Sequence, residues 1–206
     1  MLDREDNAKR RQETIWRAFF PETISLEARI PARSVQYELP VKDAIVAMTL
    51  RRPRDMQEII RQVYERTKES RKNFPDGPLI LDAFDQYSIE LRQSVENEYK
   101  LVFPAMEEIL TRFAGNNTTI EKNTLVDLIG GVVGHDEDAI YKAALNLFEA
   151  CILGAVKKNS GSNAVMFYYD FQNFIQLWKA ATQFGFHRAF WHSLQLVSLR
   201  GRRRGL

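Results

Sequence analysis

The sequence predicts a mainly α-helical chain with one small β-hairpin, built as a helical bundle followed by a second helical domain that carries the hairpin. Three observations predict it. Apolar residues recur at three- and four-residue spacing, as in Phe84, Tyr87, Leu91 and Val95, which places them on one helical face. Proline and clustered turn residues separate these periodic stretches. Only residues 153–169 show two short β-prone runs around a polar loop.

Residues 3–20 are highly charged, end in Ile15-Trp16-Arg17-Ala18-Phe19-Phe20 and fit a helix stopped by Pro21. Residues 21–39 hold Pro21 and Pro31 with mixed polarity and are expected to be irregular. Pro40 opens a short apolar helix to Leu50, because proline suits a first helical position. Pro53 opens the next helix, with Asp55 in the first turn where a carboxylate meets the positive dipole end. Met56, Ile59, Ile60, Val63 and Tyr64 are its expected apolar face. Asn73-Phe74-Pro75-Asp76-Gly77-Pro78 ends it, and a second long helix begins near Leu79.

Pro104 marks a break before a helix from Ala105 to Phe113. Thr118-x-x-Glu121 has the spacing of a capping box for a helix that Gly130-Gly131 and Gly134 break. Asp136-Glu137-Asp138 starts the next helix. Leu153–Lys157 and Val165–Tyr169 then flank Lys158-Asn159-Ser160-Gly161-Ser162-Asn163 as a hairpin. Helices at 171–181 and 187–196 and the tail Arg200-Gly201-Arg202-Arg203-Arg204 complete the chain. The expected divisions are 1–39 (charged helix and irregular segment), 40–104 (helical bundle), 105–196 (second domain) and 197–206 (basic tail).

The 206 residues are 45% hydrophobic and 27% charged, with thirteen Phe, seven Tyr and three Trp to supply a core. Net charge is +2, unevenly spread. Residues 1–75 hold 16 Lys/Arg against 12 Asp/Glu, residues 76–155 hold 5 against 14, and residues 156–206 hold 8 against 1. An acidic middle beside a basic end suggests separate surfaces for different partners. The single Cys151 rules out an intrachain disulfide and reads as a small buried hydrophobe in a reducing compartment. No apolar stretch reaches the roughly 18 residues that span a bilayer, and the start lacks the apolar core of a signal peptide. A cytoplasmic protein that does not meet a membrane is the expectation.

Residues 105–170 read helix, helix, helix, hairpin, which resembles the winged-helix variant of helix-turn-helix. On that likeness residues 105–196 are a winged-helix domain. Asp136, Glu137, Asp138 and Glu149 on its third helix face only Lys142, and such a helix is repelled by DNA. The acids at its start also read as the complement of the helix dipole. If DNA is bound, the contacts are Lys157 and Lys158 on the hairpin with Arg200, Arg202, Arg203 and Arg204 of the tail. The lysines read more readily as a solvated hairpin tip, and the tail equally as an end without a partner. Tyr168, Tyr169, Trp178 and Trp191 suit either base stacking or a core.

Thr49-Leu50-Arg51-Arg52-Pro53-Arg54-Asp55 resembles the start of the helical lid in P-loop ATPases of the AAA/STAND type, including KAP-like and origin-recognition-like proteins. Ala83-Phe84-Asp85-Gln86-Tyr87-Ser88, Glu98-Tyr99, Phe103-Pro104, Phe113 and Gly185-Phe186-His187-Arg188-Ala189-Phe190-Trp191-His192-Ser193-Leu194 resemble the same bacterial group. The resemblance covers about residues 15–196 and implies a lid-type bundle over 40–104. It implies that Arg54, with Arg51 and Arg52 beside it, senses a nucleotide phosphate. A guanidinium held at a helix start can pair bidentately with phosphate oxygens. The bland alternative is a solvated helix start pairing with Asp55 or Glu58.

The chain departs from that group in having no G-x-x-x-x-G-K-[ST] phosphate loop and no strand ending in acidic residues. ATP and magnesium would therefore be met only through a missing or separate ATPase core, with no cofactor and no catalytic residue on this chain. His135, His187 and His192 lack the spacing and companions of a metal site. No G-x-S-x-G elbow is present for nucleophilic catalysis. The expectation is a non-catalytic module that contacts an ATPase core, a protein partner or DNA. The alternatives are a stand-alone protein-interaction adaptor and a stand-alone DNA-binding regulator.

Overall fold

The structure is a computed structural model and describes residues 19–30, 33–159 and 162–197. It is mainly helical, with small sheets. Contacts divide the chain into two compact units, Met1–Ala28 with Val35–Tyr87 and Arg29–Ser34 with Ser88–Leu206. The helix expected over residues 3–20 lies outside the described residues except at its last two positions.

Strands β1 (Thr23–Ile30) and β2 (Arg33–Pro40) pair in a two-stranded sheet. This corrects the irregular segment expected over 21–39. Ile24, Leu26, Ala28 and Ile30 alternate with polar neighbours at the strand period of two, Pro21 precedes β1 and Pro40 stands at the end of β2, where a missing N–H is tolerated. Helix α1 (Val41–Met48) follows, then α2 (Pro53–Glu69), which has Pro53 at its start as expected. Val41, Ala44, Ile45, Leu50, Ile59 and Val63 are buried.

The face of α2 that turns inward differs from expectation. Asp55, Ile59, Gln62, Val63 and Thr67 are buried, while Tyr64 is 64% exposed and Ile60 36%. Position 60 lies about 100° around the helix from position 59, so the apolar residues form a wider band than the core covers. Asp76 accepts a hydrogen bond from the Leu79 amide at 3.2 Å at the start of α3 (Gly77–Tyr99). Phe84, Tyr87, Leu91 and Val95 are all buried along it, as their spacing predicts.

The second unit contains α4 (Met106–Phe113), β3 (Thr119–Glu121), α5 (Lys122–Val133), α6 (Glu137–Glu149), β4 (Leu153–Asn159), β5 (Ser162–Met166), α7 (Phe174–Ala180) and β6 (Gln183–Phe186). The expected sequence of three helices and a hairpin is present, but β4 pairs antiparallel with β5 from Ala155↔Met166 to Asn159↔Ser162, so Lys158, Asn159, Ser162 and Asn163 belong to the strands and not to the expected loop, and residues 167–169 lie beyond β5. The sheet order is β3-β6-β4-β5, so β6 lies between β3 and β4. Gly154 and Gly185 face each other across the β4–β6 pair. A Cβ at Gly154 would stand 2.7 Å from a Val165 methyl, and one at Gly185 2.8 Å, so both positions need glycine for the close approach.

Three local expectations are corrected here. The capping box at Thr118 does not form, because residues 119–121 pair with β6 and α5 starts from Glu121 without a side-chain cap. Gly130 and Gly131 do not break α5, which continues to Val133. The helix expected at 187–196 is a short 3-10 turn, Arg188–Phe190, followed by further turns. The core of this unit is aromatic: Phe148 stacks on Phe174 at 4.7 Å and Phe113 meets Phe186 edge-on at 4.9 Å.

Candidate functional site

The arginine-bearing turn between α1 and α2 is the candidate. Thr49 and Leu50 are buried at 1% and 3% exposure, and Arg51, Arg52 and Arg54 are exposed immediately after them. The turn is closed by Asp55, itself 5% exposed, whose Oδ2 accepts the Leu50 amide at 3.1 Å. The Asp55 amide in turn donates to the Arg52 carbonyl at 3.0 Å. Thr49 Oγ1 donates to the Val46 carbonyl at 2.9 Å and accepts the Arg51 amide at 3.4 Å.

Burial pushes the Asp55 carboxyl above its ordinary value, opposed by the Leu50 amide and by the charges of Arg52 and Arg54. The Tyr87 hydroxyl in the same unit is buried and makes no hydrogen bond to the described residues. Desolvation, reinforced by the Asp55 charge, pushes its phenol well above the ordinary range.

The ion pairs of the bland reading are not made by Arg54, which has none with the described residues. Asp55 is turned inward to the Leu50 amide, and Glu58 pairs with Arg61. Arg51 has φ of 58°, a left-handed backbone that costs a non-glycine residue roughly 1–2 kcal/mol. Three guanidinium-bearing residues therefore cluster at the positive end of a 17-residue helix, where cations are disfavoured.

The other predicted contacts are elsewhere. Lys157 is exposed on β4, the Lys158 side chain lies outside the described residues, and so do Arg200, Arg202, Arg203 and Arg204. On α6, Glu137, Asp138, Lys142 and Glu149 are exposed, and Asp136 caps the helix by accepting the Ala139 amide at 2.9 Å. Tyr168, Tyr169, Trp178 and Trp191 are partly buried: Tyr168 meets Phe148, Tyr169 meets His187, Trp178 meets Phe184 at 5.4 Å, and the Trp191 indole donates to the Phe186 carbonyl. These contacts favour the core reading over a stacking platform.

His187 is buried, its Nδ1 accepting the Ala189 amide and its Nε2 3.2 Å from Tyr169 Oη. Cys151 is buried, as its apolar surroundings predict. Among the described residues no group of three or more His, Cys, Asp and Glu is placed to hold a metal ion, and no helix is long and apolar enough to cross a membrane.

Sequence reasoning missed the role of Asp55, which reads there as a dipole complement or an ion-pair partner of the arginines. The signal was its place in a run with Thr49 and Leu50, but the inward turn of its carboxylate depends on burial. Among known proteins, no family model, no curated protein and no solved structure matches this chain.

Proposed function

We propose that this chain is a non-catalytic binding module whose arginine turn, with Arg54 foremost, meets the phosphates of a nucleotide held by a separate P-loop ATPase core. In this reading residues 40–104 act as a lid, and the three-helix-and-hairpin region is a winged-helix domain that docks a protein partner. The observation that carries it is the exposure of Arg51, Arg52 and Arg54 on a turn held by a buried carboxylate. Guanidiniums on a fixed backbone gain from bidentate pairing with phosphate oxygens, since little backbone freedom is lost on binding.

Titration of the full chain with sodium tripolyphosphate, followed by NMR of the arginine Nε–H signals, tests this reading. The Arg54 signal shifts saturably in the wild type, and in Arg54→Glu the accompanying shifts of Arg51 and Arg52 are lost. A flat titration at low salt overturns it.

A second reading is an adaptor without a nucleotide role. The exposed acids of α6 favour it, because they suit a basic protein surface and oppose a DNA groove. A gel shift at two salt concentrations separates a DNA-binding regulator from both, since binding through phosphate contacts weakens steeply with salt.

A further inference from the structure

We infer that Asp55 is the positioning residue of the arginine turn, its carboxylate holding the Leu50 amide and thereby keeping Arg51 in its left-handed backbone. The importance of the turn rests on the nucleotide-facing reading above.

The starting observation is a contrast among four residues. Arg51, Arg71, Cys151 and Gln195 are the described non-glycine residues with positive φ. Three of them end a helix or helical turn through the same pair of hydrogen bonds. Arg71 donates to the Lys68 carbonyl and Lys72 to Thr67; Cys151 donates to Phe148 and Ile152 to Leu147; Gln195 donates to His192 and Leu196 to Trp191. A left-handed residue is the ordinary way to close a helix in this manner.

Arg51 does not belong to that set. The cap of α1 is Thr49, in extended backbone, and Arg51 lies two residues beyond it. Its amide goes to the Thr49 hydroxyl rather than to a helix carbonyl. What surrounds Arg51 instead is a closed loop of two bonds, Leu50 N–H to Asp55 Oδ2 and Asp55 N–H to Arg52 O. The loop is anchored on its inner side by buried Leu50 and Asp55, and the arginines stand on its outer side.

An uncommon backbone persists only where its surroundings over-determine it, and such positions concentrate where side chains must be presented precisely. A carboxylate or a carboxamide at position 55 can accept the Leu50 amide; a methyl group cannot.

The test uses the full chain. In the wild type the Leu50 amide exchanges slowly and Arg51 shows the strong intraresidue amide–Hα contact of a positive φ. Asp55→Asn keeps both and binds tripolyphosphate within about twofold of the wild type. Asp55→Ala speeds Leu50 exchange, moves Arg51 to negative φ and weakens tripolyphosphate binding about tenfold, equivalent to about 1.4 kcal/mol.

An unprotected Leu50 amide in the wild type overturns the inference. So does Arg51 keeping positive φ in folded Asp55→Ala, or losing it in Asp55→Asn. If Asp55→Ala does not fold, the wild-type and Asp55→Asn measurements still decide. If no form binds tripolyphosphate while Leu50 and Arg51 behave as stated, the positioning role stands and the nucleotide reading fails.

Discussion

The starts of α2 and α6 handle the same physical problem in opposite ways. Both helices leave their first amides without intrahelical acceptors and present a positive dipole end. At α6, Asp136 caps the Ala139 amide and Glu137 and Asp138 add favourable charge in the first turn. At α2, Arg52 occupies the cap position without a side-chain bond, and Arg54 adds an unfavourable charge. The one acid in that turn, Asp55, reaches backward to Leu50 instead of forward along the helix. The α6 start is arranged for stability. The α2 start carries electrostatic and backbone costs that the α6 start does not, and this contrast is why the arginine turn is the candidate site.

Substitutions at the two helix starts can break or sharpen this comparison. The largest effect is expected at Asp55. Asp55→Ala leaves the buried Leu50 amide without its acceptor and lowers stability by about 1–3 kcal/mol in chemical denaturation. Asp55→Asn costs far less, and equal losses from the two would show that the bond to Leu50 is unimportant.

Asp136→Ala is expected to cost about 1 kcal/mol, the usual loss of a helix cap, measured the same way. Charge reversal should then have opposite signs at the two ends. Arg54→Glu should stabilise by about 0.3–1 kcal/mol at low salt, while Asp138→Lys should destabilise by a similar amount. Same-sign changes would remove the contrast.

The smaller tests concern titration and an unpartnered hydroxyl. The Asp55 carboxyl is raised above 3.8 in the folded chain, so the native state binds more protons than the unfolded one just above that pH. Stability of the wild type relative to Asp55→Asn is therefore fully present below about pH 3.8 and is lost as pH rises through the raised folded value. A difference that grows in the other direction would show that hydrogen bonding and the arginine charges outweigh burial. Tyr87→Phe removes a buried hydroxyl that makes no hydrogen bond to the described residues, and it should be neutral or slightly stabilising. A loss above about 1 kcal/mol would reveal a partner for that hydroxyl.

Much of the helical framework was legible because its signals are local. The repeat of Phe84, Tyr87, Leu91 and Val95, the Pro53 start and the Asp136 cap each act within a turn or two of helix. The arginine turn was visible as a string of residue types, and Lys157 was correctly placed on a hairpin strand. The strands at 23–40 were missed because their prolines were given more weight than their alternation. The strand β6 was missed because four residues, Gln183–Phe186, carry too little pattern of their own.

By itself the sequence determined where helices could form, which residues punctuate them, and the placement of three arginines at the start of one. Those outcomes follow from backbone sterics and side-chain period, which a residue imposes on its near neighbours. Only the tertiary structure decided that Thr119–Glu121 joins β6 instead of capping a helix. It also decided that Ile60 and Tyr64 face outward, and that the Asp55 carboxylate turns in to the Leu50 amide. These choices depend on what covers a given face and on acceptors placed by packing, and no short window of sequence contains that information.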